Sequence, residues 1–246
     1  MRVPERKQTE EDWGGRMRAD WEARAATSPH WFVDARTPFD HPDQTEFVRR
    51  GEADLRRALE VTGYRFRGSE AVLELGCGMG RMTGAIAARS RRVVGIDISE
   101  GMLAFARKAI EGSDNVALVR TDGVSLRPLA SGSFDLVLCN AVYQHLPSMD
   151  VIESYTKEIA RVLKPEGRAL VGLQNWALSP YRWLRAAAAW IVDYRGFRRL
   201  GVYSKTFLGV RLTEQQVREL FGRAGLDVEG YRRLPDRRAW VTARRP

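Results

Sequence analysis

Between Ala71 and Leu75 the chain is apolar at four of five positions, then breaks into glycines at Gly76, Gly78 and Gly80 before an apolar helical pattern resumes from Met82 to Ala88. An apolar run this short reads as a buried strand, so the order is strand, tight loop, helix. A second run, Arg92 to Ile96, predicts another strand and delivers Asp97 to the same sheet edge. Upstream, Trp13, Met17, Trp21 and Ala25 recur at helical spacing within residues 8 to 28, an apolar stripe on a charged helix that must pack on something. Pro29 to Asp43 holds three prolines and two histidines and predicts an irregular connection. Thr45 to Thr62 predicts a second helix, with Phe47, Leu55, Leu59 and Val61 inward.

Beyond the central strands the pattern changes. Asn175 to Leu208 departs from simple alternation; Ser179 is placed to cap a helix with Pro180 at its first position, and Tyr181 to Val192 is rich in alanine and tryptophan. It reads either as a wall of a ligand pocket or as an amphipathic helix docked on the core or on a dimer partner. Thr213 opens a capping pattern, TEQQ, into a helix from Glu214 to Ala224 that Gly225 ends. Leu226 to Arg233 and Arg238 to Arg244 predict two final strands joined by a turn at Pro235 and Asp236.

The loop chemistry narrows the ligand. Alternate glycines tolerate positive φ and let a ligand approach the backbone, and a carboxylate at the end of the second strand accepts ribose hydroxyls. A dinucleotide fingerprint requires glycine at its sixth position, where this chain has Arg81, and the Gly-Lys-Ser/Thr of a phosphate loop is absent. Glu74, just ahead of the loop, repels phosphate and welcomes an ammonium. A ribose with a cationic end is what S-adenosylmethionine offers. The plain alternative is a glycine-rich turn that only reverses the chain.

With those residues in view, the chain resembles the class I S-adenosylmethionine-dependent methyltransferases over roughly Ser69 to Leu173, most narrowly an uncharacterised bacterial subgroup of small-molecule type. ELGCGMG resembles their first motif, and DISEGMLAFARKA, from Asp97, their ribose-binding turn and following helix. VRTDG carries Asp122, similar to the acidic residue that receives the adenine amino group; SFDLVLCNAVYQHLP resembles the fourth strand and its exit loop, and VLKPEGRALV the helix end, turn and fifth strand. The resemblance implies an α/β, Rossmann-like fold: a mostly parallel seven-stranded sheet closed by a C-terminal antiparallel hairpin. It further implies a helical N-terminal cap, residues 1–68, over a methyltransferase domain, residues 69–246, with 175–208 as an acceptor-pocket wall. Glu74, Gly76, Cys77, Gly78, Gly80, Asp97, Ile98, Met102, Asp122, Gly123 and Asn140 are then the expected cofactor contacts, with S-adenosylhomocysteine the product. Trp31, Phe32, Phe39 and Phe47 are lid aromatics or core packing.

His145, in the loop after the fourth strand, is the expected general base, or else a helix-entry histidine bonded to backbone; Tyr143 and Gln144 flank it, Tyr143 as an orienting group. Three histidines without ligand spacing and two cysteines without a CxxC argue against a metal. Cys77 and Cys139 lie in or beside apolar strands, which favours reduced thiols and an intracellular setting.

At 246 residues the chain suits one α/β domain with an appended element. The charged N-terminus lacks a signal-length apolar core and no run approaches a membrane span, so a cytoplasmic enzyme, monomer or homodimer, is expected. A net charge of +9 raises nucleic acid as a partner. Of the 40 basic residues, however, only five are lysine, and the remaining 35 arginines are scattered, with local concentrations at Arg195, Arg198 and Arg199 and at Arg232, Arg233, Arg237 and Arg238. After the fourth strand, Asn140 leads into Ala141, Val142 and Tyr143 rather than the Pro-Pro-aromatic motif of N-specific nucleic-acid enzymes. The acceptor is therefore expected to be a small molecule methylated at oxygen or nitrogen, with RNA methylation or a non-catalytic cofactor-binding role as alternatives.

Overall fold

The computed structural model describes residues 12–174, 204–235 and 238–246. The expected helix at Tyr181 to Val192 and its Ser179 cap, the arginines at 195, 198 and 199, and Asp236 of the last turn lie outside the described residues.

Seven strands form one sheet: β1 (Ala71–Leu75), β2 (Arg92–Asp97), β3 (Val116–Arg120), β4 (Phe134–Asn140), β5 (Leu163–Gln174), β6 (Asp227–Arg233) and β7 (Arg238–Arg244). Their order is β3-β2-β1-β4-β5-β7-β6, parallel from β3 through β5, with β7 antiparallel to both β5 and β6. The fold is Rossmann-like with a C-terminal antiparallel hairpin. Strand order reverses between β1 and β4, which makes the carboxyl ends of those strands the natural ligand crevice.

Alternation along the strands divides the core into two layers. Leu73, Leu75, Val137 and Cys139 face one way, packing with α6 (Met149–Val162) through Ile152 and Ile159, and with the helix of Glu214–Arg223 through Val217 and Phe221. Val72, Leu136, Leu138 and Leu170 face the other way, toward Leu55 and Ala58 of α3 (Gln44–Thr62) and Ile86 of α4 (Thr83–Ala87). Glu74 shares the parity of Val72, so its carboxyl points into that second layer, under α4.

Helix α1 (Trp13–Thr27) buries Met17 and Ala25 from the expected stripe, and also Arg24, one position before Ala25. The segment read as irregular from Pro29 begins instead with a short helix, α2 (Pro29–Val33), because Ser28 precedes a proline whose fixed φ and missing N–H suit a helix start. Helix α5 (Glu100–Ala109) is capped by the Ser99 hydroxyl, which accepts from the Met102 amide at 3.1 Å. A single helical turn, α7 (Lys205–Leu208), precedes α8 (Glu214–Arg223), whose Thr213–Gln216 capping box is formed as expected. The expected turn ahead of the fifth strand is absorbed into β5, where pairing with β4 shifts between Phe134 and Leu136 and Glu166 takes φ +63°.

Candidate functional site

The site is built at the end of β1. Gly76 and Cys77 both donate their amides to the Ile96 carbonyl of β2, at 2.8 and 2.9 Å, which folds the loop back over the sheet edge. Gly76, Gly78 and Gly80 all hold positive φ (+71°, +54° and +76°), and a Cβ on Gly76 would run into Cγ2 of Val142. Only glycine fits that close approach. The reversal aims the Gly78 amide at Oδ2 of Asp97, 2.9 Å away, while the Ser99 amide takes Oδ1 at 3.0 Å. Burial pushes the Asp97 carboxyl above its ordinary value, opposed by these backbone donors and assisted by Glu22 of α1.

Glu74 is buried, and its Oε2 accepts from the Thr83 hydroxyl at 2.6 Å. Burial raises its carboxyl to about 7, against the opposing pull of Thr83 and Arg81. A carboxyl poised near neutrality becomes fully anionic when a cation arrives beside it. Cys77 and Cys139 are buried free thiols pushed up by burial, and so are poor nucleophiles.

Ile98, Met102 and Gly123 gather beyond Asp97. A Cβ on Gly123 would collide with Cδ1 of Ile98 and sit 3.4 Å from Cε of Met17, so helix α1 lies across this end of the site. Met102 is buried with Ala25, Phe47 and Met79. Asp122 is engaged by its own turn: Oδ1 accepts from the Val124 and Ser125 amides at 2.9 and 2.7 Å and Oδ2 from the Ser125 hydroxyl at 2.7 Å. Burial works against its ionisation, yet these donors hold it below the usual carboxylate range. Glu22 clamps α1 onto the start of α5, its carboxylate accepting from the Ser99 hydroxyl and the Glu100 and Gly101 amides at 3.1, 2.6 and 3.0 Å.

On the β4 side, the Asn140 amide donates to Sδ of Met82 at 3.3 Å, and Ala141 adopts φ +61°, a left-handed conformation uncommon outside glycine. Tyr143 and His145 then share one 3₁₀ turn but separate in environment. Tyr143 is 1% exposed, bonds the Thr156 hydroxyl at 2.9 Å and packs near Phe221, so it anchors the core; the orienting role expected of it has no exposed hydroxyl to use. His145 is half-buried between Trp21 and Phe207, with ring centroids at 5.3 and 5.0 Å. Its Nδ1 lies 2.6 Å from the Phe207 carbonyl, which fixes the N–H there and leaves Nε2, 3.3 Å from the Gln144 amide nitrogen, as the lone-pair nitrogen. Burial lowers its pKa to about 4, with the Phe207 bond opposing and Arg24 assisting, so the ring is neutral at physiological pH.

Sequence reasoning passed over three residues here. Arg24 is 2% exposed; it donates to the Ser204 and Thr206 hydroxyls at 2.9 and 3.1 Å, and its guanidinium lies over Trp21 and Phe207. Thr206 in turn donates to Asp20. Arg24 falls seven residues after Met17, on the buried stripe itself, and a charged residue in that register was the available signal. Glu22 carried none, since its partners lie 77 to 79 residues away. Arg81 was read only as a missing glycine, yet its side chain is buried against α3. Among the described residues, no group of three or more His, Cys, Asp or Glu is placed to hold a metal ion.

The comparisons with known proteins bear on the family and the fold. Residues 73–171 match the family described as "Methyltransferase domain". Residues 73–171 thus form a methyltransferase domain, on the fold of the S-adenosylmethionine-dependent enzymes. A demethylmenaquinone methyltransferase from Clavibacter sepedonicus is 31% identical over 157 residues, covering 63% of this chain and 61% of that protein. A ubiquinone biosynthesis O-methyltransferase from Hahella chejuensis is 32% identical over 137 residues, covering 55% of this chain and 53% of that protein. The chain thus spans between about half and three fifths of the length of these two relatives. An S-adenosylmethionine-dependent methyltransferase from Mesorhizobium loti shares the fold, with a TM-score of 0.59 at 20% identity over 79% of this chain and 98% of that one.

Proposed function

We propose that the protein transfers a methyl group from S-adenosylmethionine to an oxygen or nitrogen of a small-molecule acceptor. The observation that carries the donor half is the loop held between Ile96 and Asp97, where a glycine cradle that a Cβ would fill meets one carboxylate suited to ribose and another, Glu74, suited to an ammonium. S-adenosylmethionine, when bound, supplies a methyl group already activated by its sulfonium.

The remaining work belongs to the chain. Asp97 holds the ribose hydroxyls, each charge-assisted hydrogen bond contributing about 1.5–3 kcal/mol. Glu74 receives the amino group, and Ile98, Met102 and Gly123 wall the adenine. Asp122 receives the adenine amino group on oxygens already ordered by Ser125. His145, neutral and oriented through Nδ1, presents Nε2, which the Gln144 amide faces, to take a proton from the acceptor; with a pKa of about 4 it is a weak base, and its contribution falls at or below the low end of roughly 10²–10⁴ in rate. Alignment of the acceptor accounts for several kcal/mol more.

A small acceptor is favoured by the aromatic surroundings of the imidazole, which Trp21 and Phe207 flank where α1 and α7 meet the His145 turn. Arg50, Arg107, Arg161, Arg218 and Arg244 each face a carboxylate, but the net charge of +9 stands and keeps RNA as the second reading. The relative named as a ubiquinone biosynthesis O-methyltransferase fits the same reading. Residues 1–68 act as the cap in this reading, and the 175–208 insertion is assigned to the acceptor-pocket wall. An acceptor screen with labelled S-adenosylmethionine tests it. Small hydroxylated or amino-bearing metabolites are expected to be labelled, and labelling of RNA alone would overturn the acceptor class.

A further inference from the structure

Arg81 sits where a dinucleotide loop carries glycine, and its side chain runs from the cofactor loop to the N-terminal helices. Nη1 lies 2.7 Å from Asp54 Oδ2 on α3 and 3.8 Å from Asp34 Oδ2, just after α2. Arg36 joins the same two carboxylates, with Nη2 at 2.7 Å from Asp54 and Nε at 2.7 Å from Asp34. The Arg81 guanidinium lies over the Phe47 ring, 5.7 Å from its centroid. The side chains of Arg81 and Asp54 are each 9% exposed. The backbones meet as well: a Cβ on Gly51 of α3 would run into the Arg81 carbonyl. Four charges alternating in sign therefore join the loop, α3 and the segment after α2; Arg81, Asp34 and Asp54 are weakly screened, while Arg36 is half exposed.

We propose that Arg81 is a positioning residue of the cofactor site: clamped by Asp54 and the Arg36–Asp34 pair, it makes S-adenosylmethionine affinity depend on the docking of α3. It acts along two routes. The clamp fixes Arg81 at the end of the loop that begins at Gly76, and that loop carries the Gly78 amide that orders Asp97. Its charge also reaches Glu74, favouring the anionic carboxylate that meets the ammonium. The other groups acting on Glu74 are the Thr83 hydroxyl and the Asp97 carboxylate. The inference rests on Glu74 and Asp97 being the cofactor's carboxylates.

Calorimetry of S-adenosylmethionine binding to the full chain between pH 6 and 9 tests it, with Arg81→Gln, Asp54→Asn, the double variant and Arg89→Gln as a control. Arg89 bonds Glu52, also on α3, at 3.3 Å on the surface. Arg81→Gln is expected to weaken binding at least tenfold at pH 7.5 and to move the pH midpoint of binding upward. Asp54→Asn is expected to weaken it less, the double variant no further than Arg81→Gln, and Arg89→Gln to stay within twofold. If Arg81→Gln does not fold, Asp54→Asn carries the same comparison. Affinities within twofold of the parent in folded variants overturn the proposal; weakened binding with an unmoved midpoint supports the clamp and contradicts the route through Glu74. No binding by the parent protein overturns the cofactor reading instead.

Discussion

The Gly78 amide donates to Oδ2 of Asp97 at 2.9 Å, so the loop after β1 and the carboxylate ending β2 order each other. A glycine-rich loop and an acidic strand end are thereby one unit, and its parts respond differently to substitution.

Gly76→Ala is expected to be far more damaging than Gly78→Ala. Both impose a side chain on left-handed φ, about 1–2 kcal/mol, but only at Gly76 does the new Cβ meet Val142, adding about 1–3 kcal/mol of overpacking. At Gly78 the nearest atom is Val33 Cγ2 at an ordinary 3.5 Å. Denaturant melts of the two variants check the ranking.

Glu74 links pH to both stability and binding. Its folded pKa is raised from 4.5 to about 7, so the native state holds a proton that the unfolded chain has lost, and stability falls as pH rises between those values. Glu74→Gln flattens this dependence and raises stability at pH 8 by up to about 3 kcal/mol, while S-adenosylmethionine affinity drops. In the parent, binding strengthens as pH rises through 7 and releases a proton, which calorimetry in buffers of different ionisation enthalpy measures.

His145→Ala is expected to lower turnover by up to about 10² while S-adenosylmethionine affinity stays within twofold. Because the folded pKa is lowered from 6.5 to about 4, the native state binds fewer protons than the unfolded chain, and this histidine's contribution to stability is lost as pH falls from 6.5 to 4. The acidic limb of the rate profile accordingly lies near pH 4 rather than 6.5. Unchanged turnover in the variant assigns His145 to the Phe207 contact alone.

Tyr143→Phe removes one buried hydrogen bond, to Thr156, at a cost of about 1 kcal/mol or somewhat more for the oxygen left behind. Its turnover is expected to match the parent's; a large loss at unchanged stability would return Tyr143 to the reacting centre.

Strands β1 and β2 and the glycine loop were legible because buried parallel strands are continuous apolar runs and alternate glycines mark a loop at positive φ; β3, only half buried, gave no such run. Helix α3 was legible to within a residue at its start, between Thr45 and Gln44. The short helix at Pro29 was not, since proline reads as a breaker until Ser28 is seen ahead of it. The separation of Tyr143 from His145 was also hidden: two residues apart on one turn, they face different neighbours, and only packing decides which meets the core. Glu22, Arg24 and the Arg81 clamp depend on partners far along the chain, which no local pattern records.

The central claim is that Asp97, ordered by Gly78 and Ser99, holds the ribose of S-adenosylmethionine. Titration calorimetry of the parent and Asp97→Ala tests it most directly. The account requires saturable binding by the parent and at least a tenfold weaker Kd in the variant; absence of binding by the parent, or equal affinity in the two, contradicts it.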